Sequence, residues 1–227
     1  MRAALPGART MTTQVKICGL TTAETLATAL DAGADYVGLV FFPPSPRHIA
    51  DVALARALAD QARGRARIVA LSVDADDALI DRISADVRPD IHQLHGSETV
   101  ERTRDIAART GIDVMKVSKV REAADTAAAQ AYAAPAGPCP LILFDATAPP
   151  GAILPGGNGL AFDWRLLEGV PKTVAYMLSG GLTPENVTDA IRLTRARAVD
   201  VSSGVERVPG EKDPERIRAF IAAAKSL

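Results

Sequence analysis

Short β-branched runs alternate with longer alanine-rich segments along nearly all of the 227 residues. Eight runs resemble strands, and the segments between them have the apolar spacing of helices. The runs are VKIC (15–18), YVGLVF (36–41), RIVALSV (67–73), IHQLH (91–95), DVMKVS (113–118), LILFD (141–145), TVAYMLS (173–179) and AVDVS (198–202). Strict alternation predicts parallel strands with right-handed crossovers. The sequence therefore predicts an α/β fold, a single (β/α)8 TIM barrel; a doubly wound open sheet is the alternative and suits fewer strands.

Helix starts carry capping signals at three places. Thr21 and Glu24 have the spacing of a capping box. The pairs Thr183-Pro184 and Asp213-Pro214 each place a cap residue before a proline at the first helical position. In the last helical segment, four apolar residues share one face and are expected to be buried. They are Ile217, Phe220, Ile221 and Ala224.

Composition limits the classes of function. The net charge of −1 gives no sign of a nucleic-acid partner or a membrane surface. The only cysteines, Cys18 and Cys139, indicate a reducing compartment, and we expect a cytoplasmic protein. No apolar run reaches the length of a transmembrane helix. Residues 1–13 are predicted to be a disordered N-terminal extension without a signal-peptide pattern, and residues 14–227 the barrel.

Two glycine-containing loops follow the last two predicted strands, as SGGLTPEN (179–186) and SSGVE (202–206). Loops at these positions commonly form the phosphate site of a barrel, and small residues let backbone N–H groups approach an anion. The alternative is that these glycines only make tight turns. We favour a phosphate site; its candidate residues are Gly180, Gly181, Ser202, Ser203 and Gly204.

Two chemically active side chains end strands, Cys18 on the first and Asp145 on the sixth. Because side chains alternate along a strand, Lys16 points the same way as Cys18. If Asp145 points inward, Leu143 and Leu141 do too. The alternatives are a buried small apolar residue for Cys18 and a helix cap for Asp145. Cys139, at the opposite end of the predicted barrel, is interpreted as structural.

Further polar residues lie at the predicted mouth. Arg47 stands near the end of the proline-rich loop FFPPSPRHI (41–49) and is either solvated, which is the favoured interpretation, or a carboxylate clamp. His95 fits a substrate contact, whereas His92 has the opposite parity and should face the helices. Asp200 could bind a substrate hydroxyl. The loop GAILPGGNG (151–159) is either a mobile flap or a plain flexible loop.

No spacing typical of a metal site, a Ser-His-Asp triad or a P-loop is found. The candidate features that remain are a phosphate-binding site, one thiol and one carboxyl group. This set suits acid–base chemistry without a cofactor on a phosphorylated small molecule.

The motifs KICGLT, GLVFFPPSPR, QLHG, LFDA, PGGNGLAFDW, LSGGLTPENV and VDVSSGVE…PGEKD occur in this order. Together they resemble phosphoribosylanthranilate isomerase of tryptophan biosynthesis, over nearly the whole chain from about residue 14. The resemblance implies a (β/α)8 barrel without cofactor or metal that performs an Amadori rearrangement on a phosphosugar. Two places depart from the family pattern: Thr147 stands where lysine is frequent, and the sixth loop is somewhat long.

The resemblance also implies roles for residues. Cys18 would be the general base and Asp145 the general acid, with Arg47 holding the substrate carboxylate. The glycines of SGG and SSG would hold the phosphate. We further hypothesise that Lys16 lowers the pKa of Cys18 by more than burial raises it; the alternative is that Lys16 pairs with Asp200. The sequence does not fix the oligomeric state, for which a monomer is favoured.

Overall fold

The computed structural model describes residues 12–147, 154, 156–157 and 159–227. Eight parallel strands close into a barrel in chain order, which confirms the predicted fold. The strands are β1 (Gln14–Cys18), β2 (Tyr36–Val40), β3 (Arg67–Ser72), β4 (Ile91–Leu94), β5 (Asp113–Val120), β6 (Leu141–Ala146), β7 (Tyr176–Leu178) and β8 (Ala198–Val201). Most of the proposed N-terminal extension, residues 1–11, lies outside the described residues.

Helices follow the strands around the outside of the barrel. They are α1 (Ala23–Asp31), α2 (Val52–Ala62), α3 (Asp77–Asp86), α4 (Val100–Thr110), α5 (Ala123–Ala129), α6 (Val187–Thr194) and α7 (Pro214–Ala224), with a 3-10 helix at Trp164–Gly169 in place of a helix between β6 and β7. Strand β7 is shorter than the predicted run 173–179, because a turn closed by the Val174 amide on the Pro171 carbonyl precedes it. No helix in the described part of the chain is long and apolar enough to cross a bilayer.

Two of the three predicted helix starts were wrong in detail. The N-cap of α1 is Thr22, whose hydroxyl accepts from the Thr25 amide, so Thr21 is not the cap. Helix α6 begins only at Val187, since the Thr183-Pro184 pair lies in a turn in which the Thr183 amide donates to Asn186 Oδ1. The third is confirmed: Asp213 caps α7 through its carboxylate, with Pro214 first in the helix.

Apolar side chains form two layers. The barrel interior is filled by Tyr36, Val69, Ile91, Met115, Val117, Leu143, Met177 and Ala198, with Leu141 packed against them. The inward direction of Leu143 and Leu141 confirms the parity predicted from Asp145. The larger layer lies between strands and helices and includes the predicted apolar face of α7. This layer packs the helices against the strands, whose C-terminal ends carry the side chains that face the opening of the barrel.

A short hairpin between β8 and α7 is absent from the predicted elements. It consists of a 3-10 turn at Ser203–Val205 followed by the antiparallel strands β9 (Glu206–Val208) and β10 (Glu211–Lys212). Its turn contains Gly210 at φ 90°, a conformation that favours glycine. A Cβ there would lie 2.7 Å from the Pro46 carbonyl oxygen, so the hairpin packs against the loop after β2.

Candidate active site

One pocket opens at the C-terminal end of the barrel, between the loops that follow the strands. All of the predicted site residues except Lys16 line it, namely Cys18, Arg47, His95, Asp145, Gly180, Gly181, Asp200, Ser202, Ser203 and Gly204. The alternation of side chains along parallel strands explains this convergence, because residues with inward parity at the strand ends share one opening.

Lys16 lies one layer below the thiol, as its parity predicted. Its ammonium is completely buried and lies 2.8 Å from Asp200 Oδ1. The other carboxylate oxygen, Asp200 Oδ2, accepts from the Ser179 hydroxyl at 3.0 Å. A Cβ placed on Gly38 would lie 2.9 Å from Cys18 Sγ and 3.2 Å from Lys16 Nζ, so glycine at this position of β2 leaves room for thiol and ammonium together.

Burial has a larger effect on the pKa of the Cys18 thiol than its cationic neighbours have. Burial raises its pKa, while Lys16 and Lys212 act in the opposite direction without cancelling the effect. The hypothesis that Lys16 outweighs desolvation was therefore wrong for the unliganded protein. Burial also lowers the pKa of Lys16, but Asp200 and Cys18 overcome it and raise the pKa, so the ammonium stays charged. The predicted pairing of Lys16 with Asp200 is confirmed.

Asp145 points into the pocket rather than capping a helix. Its Oδ1 accepts from the Ala146 amide at 2.8 Å, and Oδ2 lies 3.4 Å from Nε2 of His95. The other ring nitrogen, His95 Nδ1, lies 3.4 Å from Nε2 of Gln93. A Cβ on Gly156 would lie 2.5 Å from His95 Nε2 and 2.7 Å from Asp145 Oδ2, so Gly156 lies directly against this pair. Most of the predicted flap or flexible loop, 151–159, lies outside the described residues.

The loops after β7 and β8 pack closely against each other and against the sixth loop. Gly180 and Gly181 both have positive φ, 87° and 64°. A Cβ on Gly181 would lie 2.5 Å from the Ala161 amide nitrogen, and one on Gly204 would collide with the Leu182 carbonyl. These loops could not approach each other with larger residues, and they present backbone and hydroxyl groups suited to an anion.

Arg47 is buried, so the favoured solvated interpretation was wrong. Its Nε and Nη2 donate to Oε1 and Oε2 of Glu206 at 2.7 and 2.8 Å. Glu206 was not among the predicted site residues, although it is the last residue of the SSGVE motif. The guanidinium still lines the pocket, where the Nη1 side faces Gly157.

Two more polar residues of the site were missed. Lys212, in the quoted PGEKD motif, is buried and donates to Glu206 and Ser202. Gln93 is completely buried and lines the pocket, and its parity with His95 on β4 could have indicated it. The opposite parity of His92 is confirmed by its hydrogen bond to Ser84 of α3, and burial lowers its pKa to about 4.

No group of three or more His, Cys, Asp and Glu side chains in the described part of the chain is arranged to hold a metal ion. Cys139 is buried beside β6 and lines neither this pocket nor the opening of the barrel. Burial raises its pKa to about 11, as expected of an unreactive, structural thiol.

Comparisons with known proteins agree with this architecture. The family model for N-(5'-phosphoribosyl)anthranilate (PRA) isomerase matches residues 15–223. A protein of Bradyrhizobium diazoefficiens named N-(5'-phosphoribosyl)anthranilate isomerase is 58% identical over 216 residues, which cover 95% of each chain. The crystal structure of phosphoribosyl anthranilate isomerase from Thermotoga maritima superposes with a TM-score of 0.84 at 38% identity, covering 95% of this chain and 100% of that one.

A second crystal structure of such an enzyme contains reduced 1-(o-carboxyphenylamino)-1-deoxyribulose 5-phosphate. It superposes with a TM-score of 0.81 at 36% identity and covers 95% of this chain and 100% of that one. The match of the family model and the identity to the B. diazoefficiens protein both extend over nearly the whole barrel. The chain is an isomerase and belongs to the N-(5'-phosphoribosyl)anthranilate isomerase family.

Proposed function

We propose that Cys18 is the general base and Asp145 the general acid of the reaction. The family relationship supports the activity itself, the conversion of N-(5-phosphoribosyl)anthranilate to 1-(2-carboxyphenylamino)-1-deoxyribulose 5-phosphate in tryptophan biosynthesis. The observation that carries the assignment is that a thiol and a carboxyl end different strands and line one pocket with two glycine loops. A rearrangement of this kind needs one group that donates a proton and one that accepts a proton.

In the proposed reaction, protonated Asp145 donates to the furanose ring oxygen, and the bond from this oxygen to C1 breaks. The product of this step is an open-chain Schiff base. The Cys18 thiolate then removes the proton from C2, which gives an enolamine, and the enolamine tautomerises to the ketone. Atoms and electrons balance within the substrate: the hydrogens on C2 and on the 2-hydroxyl are lost, and hydrogens are gained at C1 and at the former ring oxygen.

The base presents a physical difficulty, because burial raises the pKa of Cys18 and favours the neutral thiol. Lys16 supplies the compensating charge: its ammonium stays protonated beside the thiol, held by Asp200. We propose that Lys16 stabilises the thiolate during the reaction, and that Asp200 both holds Lys16 and binds a substrate hydroxyl. A buried cation acts strongly on a neighbouring charge because little water screens it.

The two charged ends of the substrate fit opposite sides of the pocket in this proposal. Arg47 binds the anthranilate carboxylate, as guanidinium groups commonly do. The phosphate is held between the loops after β7 and β8 by Gly180, Gly181, Ser202, Ser203 and Gly204. His95 contacts the substrate beside Asp145. The bound deoxyribulose 5-phosphate analogue in the related crystal structure supports a phosphosugar as ligand.

Two rival functions differ in their residues. An isomerase that carries out the same rearrangement in the histidine pathway uses carboxylates at both catalytic positions, so a cysteine at position 18 favours the anthranilate substrate. A catalytically inactive barrel that binds a phosphosugar as a sensor would have no need for both Cys18 and Asp145. We expect the protein to act in the cytoplasm.

The test is steady-state turnover, followed as the loss of phosphoribosylanthranilate fluorescence. Cys18→Ala and Asp145→Asn should each lose about 10²- to 10⁴-fold in kcat with KM near the wild-type value. Cys139→Ala and Asp31→Asn are matched controls, since Cys139 is a buried thiol away from the pocket and Asp31 forms an exposed ion pair with Arg65. A Cys18 or Asp145 variant that keeps more than roughly a tenth of wild-type kcat contradicts its assigned role.

A further inference from the structure

Arg47, Glu206 and Lys212 form a buried cluster of three charged side chains at the edge of the pocket. Glu206 accepts two hydrogen bonds from Arg47, one on each carboxylate oxygen. Lys212 Nζ donates to Glu206 Oε1 at 2.6 Å, to the Ser202 carbonyl at 2.9 Å and to the Ser202 hydroxyl at 3.2 Å. The carboxylate therefore lies between two cations, and the ammonium has a partner for each of its hydrogens.

The cluster carries an excess of positive charge on side chains that are largely buried. The side chains of Arg47, Glu206 and Lys212 are 6%, 3% and 1% exposed. Two cations and one carboxylate leave one positive charge uncompensated within the cluster. Burial, together with the positive charge of Arg47, lowers the pKa of Lys212 to about 8 against the attraction of Glu206. Because an uncompensated buried charge is costly, the cluster is suited to binding an anion.

Within the part of the chain that the structure describes, one side of the guanidinium has no hydrogen-bond partner. The Nε and Nη2 groups are held by Glu206, and Nη2 also approaches the Gly157 carbonyl at 3.4 Å. Nη1 donates to none of the described residues. A Cβ on Gly157 would lie 2.8 Å from Nη1, so this nitrogen faces the sixth loop, where Gly157 lines the pocket. A bidentate partner fixes the plane of a guanidinium, and here it fixes Nη1 toward the pocket.

The β9–β10 hairpin supplies Glu206, which pairs with Arg47, and Lys212, which pairs with Glu206. Its turn residue Gly210 donates its amide to Glu206 Oε2 at 3.2 Å and lies against the Pro46 carbonyl, next to Arg47. Lys212 joins the same hairpin to Ser202, whose hydroxyl also donates to the Cys18 carbonyl at 3.2 Å. One short element thus connects the arginine side of the pocket with the loop after β8.

We propose that Glu206 and Lys212 are positioning residues for the substrate: Glu206 orients Arg47 toward the anthranilate carboxylate, and Lys212 ties this orientation to Ser202 in the phosphate loop. This inference rests on the proposed role of Arg47 as the carboxylate-binding residue. Neither positioning residue touches the reacting atoms; both act through the groups that they hold.

The experiment measures the binding of two ligands to the whole protein. One is reduced 1-(o-carboxyphenylamino)-1-deoxyribulose 5-phosphate, and the other is its phenylamino counterpart, which lacks the carboxylate. Glu206→Gln should weaken the first ligand about tenfold, as expected for the loss of one charge-assisted hydrogen bond, and leave the second near its wild-type affinity. An equal loss for both ligands, or no loss for either, overturns the role of Glu206.

A second variant covers the case in which Glu206→Gln does not fold. Lys212→Met should raise the inhibition constant of inorganic phosphate and should also lower the affinity for the carboxylate ligand. Lys212→Arg should restore part of the affinity for each of these two ligands. Lys225→Met is the control, since Lys225 pairs with Asp35 on the far side of the barrel. If folded Lys212→Met keeps wild-type values for both ligands, the role of Lys212 is overturned.

The Arg47→Ala variant separates this inference from the proposed function. If Arg47→Ala does not discriminate between the two ligands, the assigned role of Arg47 fails. If Arg47→Ala weakens only the carboxylate ligand while folded Glu206→Gln weakens neither, only the positioning inference fails. Circular dichroism and urea unfolding establish that each variant is folded before its binding constants are compared.

Discussion

Lys16 and Asp200 form an ion pair of 2.8 Å at the centre of the barrel, directly below Cys18. The two residues are direct neighbours in the register of β1 and β8, the strands at which the barrel closes. A buried ammonium in this position holds a carboxylate that lines the pocket and also lies beside the thiol. One residue therefore connects the closure of the fold with the proposed base.

Lys16→Met should make the Cys18 thiolate harder to form. The variant removes the larger of the two cationic effects that lower the pKa of Cys18, so that Lys212 alone opposes the effect of burial. We expect the rate of Cys18 alkylation to rise at higher pH than in the wild type.

Breaking a buried ion pair also costs about 3–5 kcal/mol in the free energy of unfolding, so urea unfolding must first establish that the variant is folded. Lys225→Met, which loses a partly exposed pair, is the control. An unchanged alkylation profile in folded Lys16→Met would leave Lys16 with a structural role alone.

The wild-type thiol should itself titrate at alkaline pH. Burial raises the pKa of Cys18 above its ordinary value of 9.0, and raising the pKa of a thiol increases the neutral form at neutral pH. In the unliganded protein, alkylation of Cys18 should therefore keep increasing above pH 9.0. Mass spectrometry distinguishes this modification from that of Cys139. A rate that levels off near neutral pH would show that the cations outweigh burial after all.

Inorganic phosphate should compete with substrate for the site between the loops after β7 and β8. Gly181→Ala should weaken the binding of phosphate and of substrate. Gly181 and Gly111 have nearly the same φ, 64° and 66°, so alanine is strained at either position. Only at Gly181 does the new Cβ meet another part of the chain, 2.5 Å from the Ala161 amide nitrogen, whereas Gly111 has open space. We expect roughly a tenfold higher inhibition constant for Gly181→Ala than for Gly111→Ala. Equal constants for the two variants would place the anion elsewhere.

The parts of the site that follow from strand periodicity were predictable. Because side chains on a strand alternate with a period of two, Lys16 points to the same face as Cys18, and Leu143 points to the same face as Asp145. The closed barrel brings the ends of these strands to one opening. The convergence of the two glycine-containing loops on the pocket was predictable from their position in the fold, whereas their binding of phosphate stays a prediction.

The parts that depend on distant contacts were not predictable. Arg47 and Glu206 are separated by 159 positions, and their pairing needs a hairpin that folds back over the loop after β2. No local pattern marks such a contact, so Arg47 was interpreted as solvated. The pKa of Cys18 was also misjudged, because the balance between burial and two nearby ammonium groups depends on distances that the sequence does not contain.

The most direct test of the acid and base assignment is the kinetic isotope effect of substrate deuterated at C2. Cys18→Ser weakens the group that is proposed to remove this hydrogen, so removal should limit turnover and the primary isotope effect should be fully expressed. Asp145→Asn slows the preceding ring opening, which should suppress the isotope effect toward unity. A suppressed effect in Cys18→Ser together with an expressed effect in Asp145→Asn would contradict the assignment of Cys18 as base and Asp145 as acid.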